Sequence, residues 1–240
     1  MWNSNKSVWN ITITNNYKVI GAELWKKVES NTAMATAKGT EIVWKNKTGE
    51  ILGTFVYTGD GKATIEPTIR VDKLLDGKGT YIEEVKCSEG AKIEEVRRTI
   101  ADINIAETVD EQILALNTQQ TEIINKATET LIDKVDNGKI KRIPGAELVL
   151  IDPKTEQEIH KWIVQELYPE KITGLQKDTE YRVCETLVPA GYQVPKTMCS
   201  IFKTTSDGST TTFNLINEYT ELIIHKRGLP RNITGVIQGN

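Results

Sequence analysis

The sequence of 240 residues lacks the patterns that mark most metal-binding and catalytic proteins. Its three cysteines and two histidines show neither CxxC nor HxxxH spacing, so no zinc site is predicted. It also has no glycine-rich phosphate loop and no GxSxG nucleophile motif. We therefore expect no metal and no cofactor.

A surplus of basic residues and long apolar runs are also missing. Lys and Arg number 30 against 33 Asp and Glu, a net charge of −3. Because phosphate binding needs a basic surplus, we expect no nucleic-acid partner. No run approaches the ~18 apolar residues of a membrane helix, so no membrane insertion is expected. Met1–Lys6 contains no apolar stretch typical of a secretion signal, which indicates a cytosolic chain or a piece of an exported one.

What the sequence does contain is short segments in which apolar and polar residues alternate. Examples are Trp9–Thr14, Glu147–Ile151 and Thr212–Ile216, and turn signals rich in Gly and Asp separate such segments. This pattern predicts an all-β chain built as a β-sandwich or barrel. One stretch, 94–116, is rich in Ile, Ala, Glu and Arg, and predicts a short helical insertion.

The sequence also repeats itself. Four pairs of segments resemble each other in the same order: Leu24–Glu29 and Leu131–Asp136, Gly39–Trp44 and Gly145–Leu150, Gly79–Glu84 and Asp178–Glu185, and Glu122–Asn125 and Asn214–Asn217. The repeat predicts two tandem β-sandwich domains of about 100 residues each, a normal domain size. We place them at 20–127 and 128–220. Residues 1–19 are interpreted as the last strand of a preceding repeat or a linker, and 221–240 as the start of a following repeat or a tail.

Each copy carries three polar residues in phase with the core. One Lys, one Glu and one Asn each follow an apolar residue two positions earlier: Lys27, Glu84 and Asn125 in the first copy, and Lys134, Glu185 and Asn217 in the second. Because residues two apart in a strand share a face, these side chains are predicted to lie inside the sandwich. Burial favours the neutral forms, an amine beside a protonated carboxylic acid.

A buried cluster of Lys, Glu and Asn can undergo amide exchange between the Lys amine and the Asn carboxamide. The amine can attack the Asn Cγ while the carboxyl group shuttles protons and ammonia leaves, which produces an intramolecular isopeptide bond. Amide exchange is very slow in water, but fixed neighbours reach effective molarities of ~10⁵ M or more. A positioned carboxyl group adds proton-transfer catalysis.

The stretch Tyr181–Tyr192 resembles the E-box of CnaB-type (collagen-adhesin B-type, prealbumin-like) domains of Gram-positive surface adhesins and pilins. Asp133–Asp136, Pro144–Glu147 and Ile216–Tyr219 also follow the order of that family. The resemblance covers 128–220 strongly and 20–127 more weakly. It implies two Ig-like sandwiches and a bond from Lys134 to Asn217, with Glu185 as the catalytic residue.

In the first copy the resemblance implies a bond from Lys27 to Asn125 with Glu84 as the catalytic residue. This copy departs from the family pattern, because Tyr81–Gly90 lacks the Pro and the second Tyr of the E-box. Glu83 competes with Glu84 for the catalytic role, and Lys26 competes with Lys27 for the bond.

The resemblance implies a structural stalk or pilin-like segment on the bacterial cell surface or cell wall. Neighbouring repeats of the same chain would be its partners, and its chemistry would be one self-modifying turnover rather than enzyme catalysis. An alternative is an adhesin module that binds a host protein or glycan, and a weaker one is a hydrolase using Glu84 or Glu185. Cys184 and Cys199 could pair across a hairpin, but we favour three small buried thiols.

Overall fold

A computed structural model describes residues 17–220, which form sixteen strands, two short 3-10 helices and no α-helix within that range. The prediction of an all-β chain is confirmed. No helix among these residues has the length and apolar character needed to cross a membrane. The predictions for 1–16 and 221–240 lie outside the described residues.

The first sandwich, here the first unit, contains nine strands in two sheets. Its strands are β1 (Val19–Glu29), β2 (Glu41–Lys45), β3 (Ile51–Val56), β4 (Gly61–Arg70), β5 (Tyr81–Lys86), β6 (Ala91–Lys92), β7 (Arg97–Thr99), β8 (Gln112–Ala115) and β9 (Ile123–Ala127). One sheet has the order β4-β1-β9-β6, with β8 also paired to β1, and the other has the order β3-β2-β5-β7. Leu24 and Ile123 of the first sheet pack with Ile42 and Trp44 of the second, so the core lies between the sheets.

The second unit contains seven strands and repeats this plan. They are β10 (Glu129–Asp136), β11 (Glu147–Asp152), β12 (Gln157–Ile163), β13 (Glu170–Thr173), β14 (Glu180–Leu187), β15 (Cys199–Lys203) and β16 (Thr211–Asn217). The sheet orders are β13-β10-β16 and β12-β11-β14-β15. Ile132 and Leu215 pack against Leu148 and Val183 across the sandwich.

In both units the first and last strands are parallel neighbours. β1 pairs with β9, and β10 pairs with β16.

Both units also place a positive-φ glycine before the second strand, Gly39 and Gly145, each with φ of 83°. Because this backbone conformation favours glycine, the shared glycine directs the chain in the same way into β2 and β11.

The helical insertion predicted for 94–116 is wrong. This stretch contains β7, β8 and a three-residue 3-10 helix at Ile105–Glu107. β7 pairs with β5, and β8 pairs in parallel with the first half of β1. The edges of β5 and β1 therefore supply backbone hydrogen bonds that override the helical preference of the sequence.

Our preference for three unpaired thiols is wrong for two of them. Cys184 and Cys199 lie directly opposite each other on β14 and β15 and form a disulfide, with their Cα atoms 4.0 Å apart. Cys87 is a half-buried free thiol. The pairing depends on a strand register that the spacing of 15 residues alone does not specify.

The two units are joined by hydrogen bonds at their junction. The Asn31 side chain accepts from Thr173 N at 2.8 Å, and Thr173 Oγ1 accepts from Asn31 N at 2.7 Å. Gly174 adopts φ of 92°, and a Cβ there would lie 2.6 Å from Ala35 Cβ. The junction is therefore closely packed as well as hydrogen-bonded.

Candidate functional site

The second unit buries one Lys, one Glu and one Asn at a single point between its sheets. Lys134 on β10 is fully buried, and Glu185 on β14 and Asn217 on β16 are each 2% exposed. Each points inward because it lies two residues after a core residue of its strand, such as Ile132 or Val183, and so shares its face. The sequence prediction placed all three polar side chains in the core, and the structure brings them together. We call this group the second cluster.

The contacts within the second cluster are short and mutual. Lys134 Nζ donates to Asn217 Oδ1 at 2.5 Å and lies 3.2 Å from Glu185 Oε2. Asn217 Nδ2 donates to both carboxylate oxygens of Glu185, at 3.0 and 2.9 Å. The amine therefore sits beside the carboxamide carbonyl while the carboxylate holds the carboxamide nitrogen.

Burial changes the chemistry of the amine. Desolvation lowers the pKa of Lys134 below its ordinary value of 10.5, and the nearby Glu185 carboxylate offsets part of this effect. A lowered pKa increases the fraction of neutral amine, which is the nucleophilic form.

The first unit contains an equivalent first cluster, formed by Lys26 on β1, Glu84 on β5 and Asn125 on β9. Lys26 and Asn125 are fully buried, and Glu84 is 5% exposed. Lys26 Nζ lies 3.0 Å from Glu84 Oε2, and Asn125 Nδ2 donates to Glu84 Oε1 at 2.7 Å. Burial also lowers the pKa of Lys26.

The two clusters occupy the same positions in the strand ladders. Lys26 lies opposite Ile123, and Lys134 lies opposite Leu215. Ile123 and Leu215 are each two residues before the Asn of the cluster on the last strand. On the other sheet, Glu84 lies opposite Ile42 and Glu185 opposite Leu148, each beside a register shift. The clusters are therefore equivalent in position as well as in composition.

The prediction that Lys27 belongs to this site is wrong. Its side chain is 40% exposed and pairs with Glu122 at 2.9 Å. Lys26 faces inward because it shares a face of β1 with Leu24 and Val28, both of which are core residues. The apolar Trp25, which is only partly buried, made the opposite face of β1 look equally apolar in the sequence.

Glu84, rather than its competitor Glu83, is the carboxylate of the first cluster. Glu83 points outward and pairs with Lys45 at 2.6 Å. Alternation along β5 accounts for the difference, because Glu84 shares its face with the buried Ile82.

Sequence reasoning missed Cys87 as a neighbour of the first cluster. Asn125 Nδ2 donates to Cys87 Sγ at 3.4 Å. Cys87 lies three residues after Glu84, whereas Val188 stands three residues after Glu185. Comparison of the two repeats shows this difference in sequence. The contact with Asn125 could not be predicted from it, because it depends on how the chain turns after β5.

The second cluster borders a cavity. Glu185 and Asn217 line a cavity of about 410 Å³ beside β15 and β16. Cys87 lines another, of about 380 Å³, near the junction of the units.

Within residues 17–220 no group of three or more His, Cys, Asp or Glu side chains is arranged to hold a metal ion. The chemistry available at both clusters is that of an amine, a carboxyl group and a carboxamide in contact. The charged and amide groups are removed from water, which strengthens their mutual electrostatic interactions.

No family model matches the sequence, and no curated protein matches it. Among solved structures, the Bacillus anthracis TIE protein is 17% identical with a TM-score of 0.49, over 84% of this chain and 34% of that one. The C-terminal fragment of the pilus adhesin SpaC from Lactobacillus rhamnosus GG is 14% identical with a TM-score of 0.44, over 87% and 100% of the two chains. A Streptococcal ancillary pilin is 14% identical with a TM-score of 0.33, over 90% and 68%. The chain thus spans about a third of the TIE protein structure.

Proposed function

We propose that each unit forms an intramolecular isopeptide bond, Lys134 to Asn217 and Lys26 to Asn125, and that the chain is a load-bearing segment of a pilin-like or adhesin-like bacterial surface protein. The observation that carries the proposal is the recurrence of the same buried Lys, Glu and Asn at equivalent ladder positions in both units. Neighbouring segments of the same protein are its proposed partners.

Energetics favour a reactive role over a purely structural one. A buried ion pair recovers its desolvation cost only with excellent geometry, and apolar residues of similar volume are often as stable or more so. In the first cluster, Lys26 Nζ lies near Glu84 Oε2 without hydrogen-bond geometry, and neither atom has a hydrogen-bond partner among the described residues. An unreacted cluster of this kind is therefore costly, whereas an isopeptide bond removes the buried ionisable amine.

In the proposed reaction, the neutral Lys134 amine attacks Asn217 Cγ, and the Glu185 carboxylate takes the proton released from Nζ. The carboxylic acid then passes a proton to Nδ2, the Cγ–Nδ2 bond breaks and ammonia leaves. One amide replaces another, so no oxidant or cofactor is required. Each unit reacts once, and the proposal includes no turnover of an external substrate.

The bond would join strands that already pair side by side. β10 and β16 run parallel, so opposite pulling on the two ends of the unit loads their hydrogen bonds in shear. A covalent link from Lys134 to Asn217 would carry that load instead. It would also constrain the unfolded chain, and by analogy with disulfides a crosslink spanning 83 residues stabilises the fold by about 4–5 kcal/mol.

Intact-mass measurement of the purified, reduced chain tests the proposal. We expect a mass below that of the sequence by two ammonia molecules. Lys134→Met and Lys26→Met should each restore one ammonia, because each removes one nucleophile. Lys27→Met is the matched control and should retain the full deficit.

Peptide mapping should then find Lys134 joined to Asn217 and Lys26 joined to Asn125. A reduced wild-type chain with the full sequence mass would disprove the bonds. If Lys26→Met kept the full mass deficit and Lys27→Met regained the mass of one ammonia, Lys27 rather than Lys26 would be the nucleophile of the first unit.

A further inference from the structure

We propose that Cys87 is a catalytic residue of the first unit, whose thiol protonates the nitrogen that leaves Asn125. The inference rests on the proposed Lys26–Asn125 bond and concerns how that bond forms. Its basis is the contact between Cys87 Sγ and Asn125 Nδ2 at 3.4 Å. Nδ2 is the atom that must depart as ammonia, so the thiol touches a reacting atom.

The first cluster needs such a group more than the second does. In the second cluster, both carboxylate oxygens of Glu185 contact the Asn217 nitrogen. In the first, only Glu84 Oε1 contacts the Asn125 nitrogen. The remaining Nδ2 contact in the first cluster is with Cys87.

The first cluster also contains buried polar atoms without hydrogen bonds within residues 17–220, although Lys26 Nζ and Glu84 Oε2 form an ion pair with each other at 3.0 Å. Among the described residues, Lys26 Nζ, Glu84 Oε2 and Asn125 Oδ1 are buried and have no hydrogen-bond partner. These atoms are the nucleophile, the proton carrier and the carbonyl oxygen of the proposed reaction. Buried polar groups normally have hydrogen-bond partners, so the Asn125 carbonyl oxygen without one in the described part of the chain is consistent with a reactive site.

The protonation state of Cys87 suits a proton donor. Burial, with a smaller contribution from Glu84, raises the pKa of the Cys87 thiol above its ordinary value of 9.0. At neutral pH it therefore stays a thiol, which has a proton to give, rather than a thiolate nucleophile. Cys87 also lines a cavity of about 380 Å³ near the junction of the units.

The step balances without another reactant. The Lys26 amine attacks Asn125 Cγ, and the Glu84 carboxylate takes the proton released from Nζ. The Cys87 thiol protonates Nδ2, the Cγ–Nδ2 bond breaks and ammonia leaves. The Glu84 carboxylic acid then returns its proton to the thiolate, so both groups end as they began.

The test follows bond formation in freshly made chains. Wild type, Cys87→Ala and Cys87→Ser are produced by brief cell-free translation, and the fraction of each crosslinked peptide is followed by mass spectrometry. We expect Cys87→Ala to slow the Lys26–Asn125 bond about 10²-fold, within the usual range for a general acid. Cys87→Ser keeps an O–H donor and should stay within about tenfold of the wild-type rate.

The second unit provides the control inside the same molecule. The Lys134–Asn217 bond has Val188 at the corresponding position and should form at the wild-type rate in all three chains. The proposal is overturned if Cys87→Ala forms the first bond as fast as wild type, or if Cys87→Ser is as slow as Cys87→Ala. Failure of wild type itself to form the first bond would refute the proposed function of that unit, and with it the role of Cys87.

Discussion

At the scale of single residues, the central feature is a lysine amine removed from water in each unit. Lys26 and Lys134 are among the largest fully buried side chains among the described residues. Burial lowers the pKa of both lysines, and the adjacent carboxylate offsets only part of that effect. The price of holding these amines in the core is offset in our proposal by the covalent bond that they form.

The lowered pKa of Lys134 predicts a pH-dependent stability in a chain that cannot form the bond. In Asn217→Ala, the free energy of unfolding should rise with pH as pH approaches 10.5 from below. Between the lowered folded pKa and the ordinary value of 10.5, the unfolded chain binds the proton more readily, so stability increases with pH.

Urea unfolding at a series of pH values measures this slope. The control is the double variant Asn217→Ala, Lys134→Met, which has no lysine amine at the site and should lack the rise. Parallel pH profiles for the two variants would contradict a lowered lysine pKa.

At the scale of elements, alternation within strands predicted correctly that five polar side chains face the core. They are Glu84, Asn125, Lys134, Glu185 and Asn217, and all are buried. It failed at Lys26, because β1 carries apolar residues on both faces, with Leu24 and Val28 inside and Trp25 partly buried outside. The strands within 94–116 could not be read from local preference, because β7 and β8 exist through pairing with β5 and β1. The sequence therefore predicted which side chains face the core in strands with one apolar face. It missed features that depend on pairing with distant strands.

The disulfide between β14 and β15 predicts a separable contribution to stability. Cys184→Ala, Cys199→Ala should lower the free energy of unfolding by about 3 kcal/mol, since the loop closed by the bridge is 15 residues long. The Lys134–Asn217 bond should still form, because Glu185 N keeps its hydrogen bond to Met198 O at 2.7 Å.

Urea unfolding and intact mass measure the two expectations separately. Wild type treated with a reductant serves as the control and should show the same loss of stability. An unchanged unfolding free energy, or loss of the isopeptide bond in the double variant, would contradict this division of roles between the two crosslinks.

At the scale of the whole molecule, the two proposed bonds and the junction form one path for tension. Force entering along β1 would cross from Lys26 to Asn125 and leave through β9, and the chain then runs directly into β10. There it would cross from Lys134 to Asn217. Hydrogen bonds between Asn31 and Thr173 hold the two units together where the path passes from one to the other.

This path predicts that a wild-type chain pulled from its two ends does not release the residues between Lys134 and Asn217. Lys134→Met lacks the crosslink, so its second unit should open and lengthen the chain by roughly 290 Å once the disulfide is reduced, because 83 residues extend by about 3.5 Å each. Single-molecule force spectroscopy under reducing conditions measures the step. Lys27→Met keeps both proposed crosslinks and should behave as wild type. A step of that length in wild type would show that no covalent bond spans the second unit, because the segment between two crosslinked residues cannot be extended when it unfolds.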